Sequence, residues 1–379
     1  MNKRLSMLNP SLALSVILSL FPTTGWTDWQ INMRRGVTDT SVAIYDLHML
    51  VFYICVAISI IVFGLMFWSI FHHRKSKGAV SHQFYESTAV EILWTFVPIV
   101  ILVAIAVPAT STLIETYDNS ESDLDIQVTG YQWKWRYKYI GQDIDFFSVL
   151  TTPYEEIHNI QEKNPNYLLE VDNPLVVPIN KKIRFLFTSN DVIHAWWVPD
   201  LALKKDAIPG FINESSTKIN TPGIYRGQCA ELCGKNHGFM PIVIKAVTEA
   251  EYGVWLTRQK IKYVELARAS KKDWALAELM AKGEQVYNKN CSACHQTTGM
   301  GIPPVFPALK GSSITTGPFE AHLNIVLKGK AGTAMSAFEA QLSALDLAAV
   351  ITYERNAWDN NMGDILQPAD VAKRMGAEK

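Results

Sequence analysis

The chain opens its pattern with two long runs that carry no charged side chain. Residues 51–71 form the first, long enough to cross a bilayer, which takes about 20 largely apolar residues as a helix. Residues 92–114 form the second, interrupted by Pro98 and Pro108, which a membrane helix tolerates when its neighbours satisfy the freed carbonyls. The reading is a hairpin over 28–117 with spans at about 47–71 and 91–114. Between them stands the basic stretch His72-His73-Arg74-Lys75-Ser76-Lys77. An excess of cations marks the cytoplasmic side, so everything after residue 115 is expected on the outer face. Glu91 opens the second span and has two readings, an acid resting at the headgroups or an entry point for protons. Ahead of the hairpin, residues 1–27 carry Lys3 and Arg4, then an apolar core at 11–21 that is too short to span. They read as a secretory signal, the alternative being an interfacial helix.

From residue 118 the pattern changes to alternation. Residues 125–139 alternate aromatic and polar side chains from Tyr131 onward, as one half-buried strand would, with Trp133 and Trp135 on the same face. Shorter apolar runs at 168–171, 175–179, 183–189, 223–226 and 242–247 predict further strands, punctuated by Gly, Pro, Asn and Asp. Many short strands with turn signals predict a β-sandwich over 118–248. Residues 249–272 read as a charged helical linker. A third unit, 273–379, follows, with helices predicted at 274–289 and 342–358.

Composition adds little to this division but closes off some functions. A formal net charge of −1 with 19% charged residues offers no basic surface for nucleic acid, and 48% hydrophobic residues agree with membrane spans. Of five cysteines, Cys55 lies in the first apolar run and reads as packing. The other four form two tight pairs.

The first pair belongs to Cys229-Ala-Glu231-Leu-Cys233-Gly-Lys-Asn-His237-Gly-Phe-Met240, and His194 lies upstream in His-Ala-Trp-Trp-Val-Pro. Two Cys and two His alone would read as tetrahedral zinc. A Met three residues after His237 points to copper, for which a weak thioether ligand is usual. A mononuclear blue-copper site needs one thiolate, so the second Cys implies two metals bridged by sulfur. The plain alternative is a disulfide in an oxidising compartment. The second pair is Cys291-Ser-Ala-Cys294-His295, the C-x-x-C-H pattern that attaches haem c, with the His as axial ligand. Met335, on a small-residue loop 40 residues beyond His295, is the expected second axial ligand. Met300 competes with it, and a Cys291–Cys294 disulfide is the alternative for the pair.

Taken together, the hairpin, the Tyr131-Gln132-Trp133-Lys134-Trp135 stretch, residues 194–199 and residues 229–240 resemble subunit II of a haem–copper cytochrome c oxidase, with a cytochrome c domain fused at the C-terminal side. The resemblance implies a cupredoxin-like Greek-key sandwich, a binuclear copper centre and an all-α class I cytochrome c domain. It implies Cys229 and Cys233 as bridging thiolates, His194 and His237 as terminal ligands, and Met240 and the Glu231 carbonyl as weak ones. The Glu231 side chain would bind a Mg or Mn ion shared with subunit I. Trp133 would be the point of electron entry, and Glu91 the mouth of a proton channel in subunit I. The acidic run Asp118, Glu121, Asp123, Asp125, Asp143 and Asp145 is either a docking face for a basic cytochrome or an ordinary solvated face. One departure is Phe211, where many relatives carry Arg.

The function expected is that of the electron-entry subunit of a respiratory terminal oxidase. Its partners would be subunit I, subunit III, a cytochrome or other periplasmic donor, and the lipid bilayer of a bacterial inner membrane. A copper-site domain of a denitrifying reductase would have no use for the hairpin, and a copper-delivery protein would keep an open site rather than six donors.

Overall fold

The computed structural model describes residues 32–80 and 85–376; the expected signal at 1–27 lies outside the described residues. Helix α1 (Asp39–His72) and helix α2 (Thr88–Thr116) are the two candidate spans. At 34 residues α1 is longer than the span read from sequence. At about 1.5 Å per residue it exceeds a bilayer core by several turns. Thr38 and Ser41 close its start in a reciprocal capping box, and α2 runs unbroken through Pro98 and Pro108. The apolar side chains of both are exposed in the isolated chain.

The root of α1 is fastened to the β-domain. Val37 N–H donates to Asp200 O at 2.9 Å, and Thr38 Oγ1 donates to Leu201 O at 3.2 Å. Asp39 accepts from Asn220 at 2.6 Å and pairs with Lys218 at 2.9 Å.

The sandwich has ten strands in two five-stranded sheets. In the first, β1 (Leu124–Tyr131), β2 (Lys134–Tyr139), β3 (Ile144–Ser148), β5 (Lys182–Ser189) and β8 (Asn213–Lys218) lie in the order β3-β2-β1-β5-β8. In the second, β4 (Leu175–Pro178), β6 (His194–Val198), β7 (Leu203–Ala207), β9 (Gly223–Cys229) and β10 (Pro241–Val247) lie in the order β4-β10-β9-β6-β7. β1–β5 and β4–β10 are parallel pairs, the rest antiparallel. The core is rich in aromatics, and their polar tips are satisfied across it, as burial requires. Tyr139 OH donates to Val176 O at 2.7 Å, and Trp196 Nε1 donates to Tyr137 OH at 3.3 Å.

Two sequence expectations change here. Residues 125–139 are not one strand: the chain turns back at Gln132-Trp133, so β1 and β2 form a hairpin with Gly130 opposite Trp135. Alternation passes through that turn undisturbed, because neither turn residue is Gly or Pro. Residues 168–171 form no strand, and Val171 makes only an isolated bridge to Leu150.

The segment after β10 is helix α3 (Glu249–Ala269), opened by a Thr248–Glu251 capping box. Its first turns pack on the sandwich: Trp255 lies against Tyr139 and Phe146, with ring centroids at 5.1 and 6.3 Å. Tyr263 OH reaches the Asp145 backbone. The tether is therefore a docked rod rather than a loose chain. The last unit holds α4 (Leu276–Asn290), a single turn at Ser292–His295, α5 (Phe319–Lys328), α6 (Ala344–Asn356) and α7 (Pro368–Gly376). It has its own core around Tyr287, Leu347 and Ile351.

Candidate metal centre

One rim of the sandwich gathers the predicted donors. His194 is the first residue of β6 and Cys229 the last of β9, and these strands pair at Trp196–Cys229. The 230–240 loop then carries Cys233, His237 and Met240 back to the same point. Cys229 Sγ lies 3.9 Å from Cys233 Sγ, 3.9 Å from His194 Nδ1 and 3.4 Å from Glu231 O. Cys233 Sγ lies 3.5 Å from His237 Nδ1 and 3.4 Å from Met240 Sδ. The sulfur separation is far from a disulfide bond of about 2.05 Å, so the disulfide alternative is not realised. Both thiols are free and buried. Two central thiolates, each with its own imidazole, and weak donors at the margins fit a pair of copper ions.

The thiols are unequal. Cys229 is drawn down, first by the hydrogen bond from Cys233 and then, against the cost of burial, by His194. Cys233, as that donor, is driven up. One thiolate, the metal-binding form, is therefore already favoured.

Around these donors is a supporting layer that the sequence reading missed. His194 is 0% exposed, and its Nε2–H donates to Asp191 Oδ1 at 2.9 Å, which leaves Nδ1 as the lone-pair nitrogen toward Cys229. Burial opposes charge on this ring, but Asp191 and Cys229 outweigh it and raise its pKa. Asp191 Oδ2 also accepts from Gln132 N–H at 2.7 Å. Gln132 Nε2 and Trp133 Nε1 both donate to Cys233 O, at 2.8 and 3.2 Å. Trp135 Nε1 donates to Met240 O at 3.3 Å. Gly130 is required by close approach: a Cβ there would sit 2.6 Å from the His194 ring. Gly234, at φ +115°, lets the loop come within reach of Gln132 and Trp133. An Asp three residues before a candidate His was a local signal that could have been followed. The turn carrying Trp133 could not be seen without the hairpin.

Glu231 has its side chain in solvent, and Phe211 and Ile212 are exposed as well. Glu91 lies in the first turn of α2, where its carboxylate accepts from Ser87 N–H at 3.4 Å. Much of the acidic run is occupied: Asp118 pairs with Lys182, Asp125 with Arg184 and Asp145 with Arg136.

In the last unit Cys291 and Cys294 are free. Burial, then Glu354, pushes the Cys291 thiol well up. His295 Nδ1 lies 2.9 Å from Pro307 O; a carbonyl only accepts, so the ring donates and Nε2 is the nitrogen left for iron. Met335 packs against the domain core, whereas Met300 is 54% exposed. The residues fit a covalent haem. An unforeseen feature is the buried pair His322–Glu354, 2.8 Å apart, with no hydrogen-bond partner for His322 Nδ1 among the described residues.

Residues 124–247 match the family described as cytochrome c oxidase subunit II, periplasmic domain. Residues 26–111 match its transmembrane domain, and residues 278–353 match cytochrome c oxidase, cbb3-type, subunit III. Cytochrome c oxidase subunit 2 of Arabidopsis thaliana is 36% identical over 252 residues, covering 65% of this chain and 95% of the relative. That of Cyanidium caldarium is 38% identical, covering 60% and 90%. Against the mitochondrial subunit 2 of Glycine max, 37% identical, the match spans 64% of this chain and 62% of the relative. The solved periplasmic domain of subunit II of cytochrome oxidase from Bradyrhizobium japonicum is 44% identical over 38% of this chain and 96% of that one, with a TM-score of 0.34. With relatives matched across nine-tenths of their length, and a cytochrome c domain following the matched region, this chain belongs to the cytochrome c oxidase subunit II family.

Proposed function

We propose that the chain is the membrane-anchored electron-entry subunit of a proton-pumping haem–copper oxidase, in which a covalent haem c and a copper pair supply the one-electron carriers between a periplasmic donor and subunit I. The observation that carries this reading is the meeting of six donors at one rim, with the Cys-x-x-Cys-His turn of the last domain beside the same loop. Lys235 Nζ, two residues after Cys233, donates to Ala293 O at 3.2 Å.

Each residue has a role in this reading. Cys229 and Cys233 would hold the copper through their thiolates, with His194 and His237 as imidazole donors and Met240 and Glu231 O as weaker ones, and the metal would supply one-electron chemistry there. Asp191 holds His194 in one tautomer and holds the Gln132 turn at the same time. Trp133, bonded to Cys233 O, is the path of electron entry. Cys291 and Cys294 would attach the haem, and His295 and Met335 would be the residues that hold its iron. The Glu231 carboxylate faces outward toward a Mg or Mn ion shared with subunit I, and Phe211 and Ile212 belong to that contact. Glu91 admits protons at the cytoplasmic end of the hairpin. The sandwich and haem domain then lie on the outer face of a bacterial inner membrane. Subunit III completes the set.

Cys229→Ser tests the reading in the assembled complex. Metal analysis should show loss of both coppers with the haem retained. The haem should accept electrons and stay reduced in air while oxygen uptake collapses. Reoxidation of the haem at the wild-type rate would reject it.

A further inference from the structure

Lys134 is the one lysine of the β-domain buried among the described residues, at 7% exposure. Neither the copper cluster nor the sandwich core requires it. Its neighbours come from two domains. Nζ donates to Asn290 Oδ1 at 3.0 Å, and Asn290 is the last residue of α4, directly before Cys291. The ammonium also lies over Phe147 of β3 at 4.8 Å and over Phe338 of the haem domain at 5.5 Å, both within cation–π range. Taking an ammonium out of water is costly, and the cost appears here as a pKa lowered to about 8, chiefly by desolvation. A lysine held this way, next to Trp133, is doing something other than solubilising a strand.

Two further contacts surround it. Lys289, on the last turn of α4, forms an ion pair with Asp172 of the sandwich. Lys235 caps Ala293 O at 3.2 Å and lies 6.0 Å from the Phe306 ring. All three contacts join residues within two positions of the Cys291–Cys294 turn to the sandwich, at Lys134 beside the Trp133 turn, at Lys235 in the copper loop and at Asp172 ahead of β4. Each domain contributes cations to the other's acceptors, so the match is not a generic basic-on-acidic encounter.

We propose that Lys134, Asp172 and Lys235 form a receptor face for the chain's own haem domain, with Lys134 as its central anchor, and that this docked face is closed to a soluble cytochrome. The inference deepens the electron-entry reading and rests on it only for its consequence. An outside donor then reduces the haem domain, never the copper site through Trp133. Lys134 is a positioning residue: it acts through the placement of α4 and the turn after it.

The test uses the full subunit in the assembled oxidase and a small amine-reactive acetylating reagent. Lys138, on the same strand and exposed, is the internal standard. Lys134 should label at least about tenfold more slowly than Lys138, the factor expected if about 1.4 kcal/mol or more holds the domains closed. Lys289→Glu sets like charges against each other at Asp172, which is costly at an interface, and should raise Lys134 labelling toward that of Lys138. Adding Asp172→Lys to that variant restores opposite charges and should restore protection. In the same proteins, haem-to-copper transfer followed by flash spectroscopy should slow in Lys289→Glu, recover in the swap, and slow in Lys134→Met. Equal labelling of Lys134 and Lys138 in the wild type, or a swap that restores neither protection nor rate, overturns the receptor face. Protection that follows the charges while the wild-type haem passes no electron to copper upholds the receptor face and rejects the electron-entry reading instead.

Discussion

The copper rim and the haem domain solve the same problem, holding a redox metal, in opposite ways. At the copper rim strand pairing and side-chain hydrogen bonds converge on the donors. β6 and β9 set His194 and Cys229 side by side, and hydrogen bonds from Gln132, Trp133 and Trp135 fix the returning loop. In the haem domain Cys291 caps the single helical turn that holds Cys294, and the core beside them contains a hydrogen-bonded pair, His322 and Glu354. Strands lend their rigidity to the first site, while the second keeps a polar pair inside a small helical core. The difference is one of preorganisation, and it predicts a copper site set by the protein and a haem domain whose stability depends on its haem.

The strongest way to break this contrast is to withhold each group in turn. A Cys291→Ser/Cys294→Ser chain, which forms no thioether, should lose the separate melting transition of the haem domain. The metal-free sandwich should keep its own. Calorimetry on the full subunit reads both, and a haem domain that melts unchanged would show that its core needs no cofactor.

Next in size is His322→Leu. Glu354 is 4% exposed, and leaving a buried carboxylate without its partner costs about 3–5 kcal/mol. The haem-domain transition should fall accordingly, with the sandwich transition fixed. His322→Leu/Glu354→Leu should regain most of the loss, because an apolar pair asks for no solvation. A double variant no better than the single would mean the pair does more than satisfy itself.

At the copper rim, Asp191→Asn should leave the melting of the sandwich nearly unchanged and weaken metal binding by about 10–100-fold, the usual consequence of losing the group that orients a ligand histidine. Competition with a copper chelator measures it. An affinity equal to wild type would show that strand geometry alone aligns His194.

The smallest effect on stability, though not on the spectrum, is expected at the two candidate axial methionines. Met335→Ala should abolish the Met-ligated absorption band and lower the haem potential, since thioether ligation raises it. Met300→Ala should change neither. Potentiometric titration of both variants decides the assignment, and a shift confined to Met300→Ala would reverse it.

How much of this was legible in the sequence follows the same divide. The hairpin, the rim residues at 194 and 229–240, and the Cys-x-x-Cys-His turn were all written locally, as apolar runs or as close spacings. Two edge strands were not: β7, Leu-Lys-Lys-Asp-Ala, and β8, Asn-Glu-Ser-Ser-Thr-Lys, are polar and lie at the margins of their sheets, where charge discourages further pairing. Polar strands carry no hydrophobic period to read. His322 and Glu354 stand 32 residues apart, and Lys134 and Asn290 stand 156 apart. No spacing rule reaches that far, and only the fold brings such residues together. The Trp133 turn was hidden for the reverse reason, an alternation that continued smoothly through it.

Helix α3 sets a rule for rebuilding this protein. A loose tether can be lengthened by any number of residues at little cost, since closure entropy grows only slowly with length. A docked helical rod of 21 residues has a phase. Each residue inserted beyond its packed first turns would swing the haem domain by about 100° around the axis and lift it by about 1.5 Å. One added alanine would aim the attachment turn away from Lys134, and about seven, close to two full turns, would bring it back into azimuth though roughly 10 Å farther along. Where a cytochrome domain is grafted through such a rod, its permitted tether lengths are therefore periodic, and the grammar of the fusion is helical pitch rather than reach.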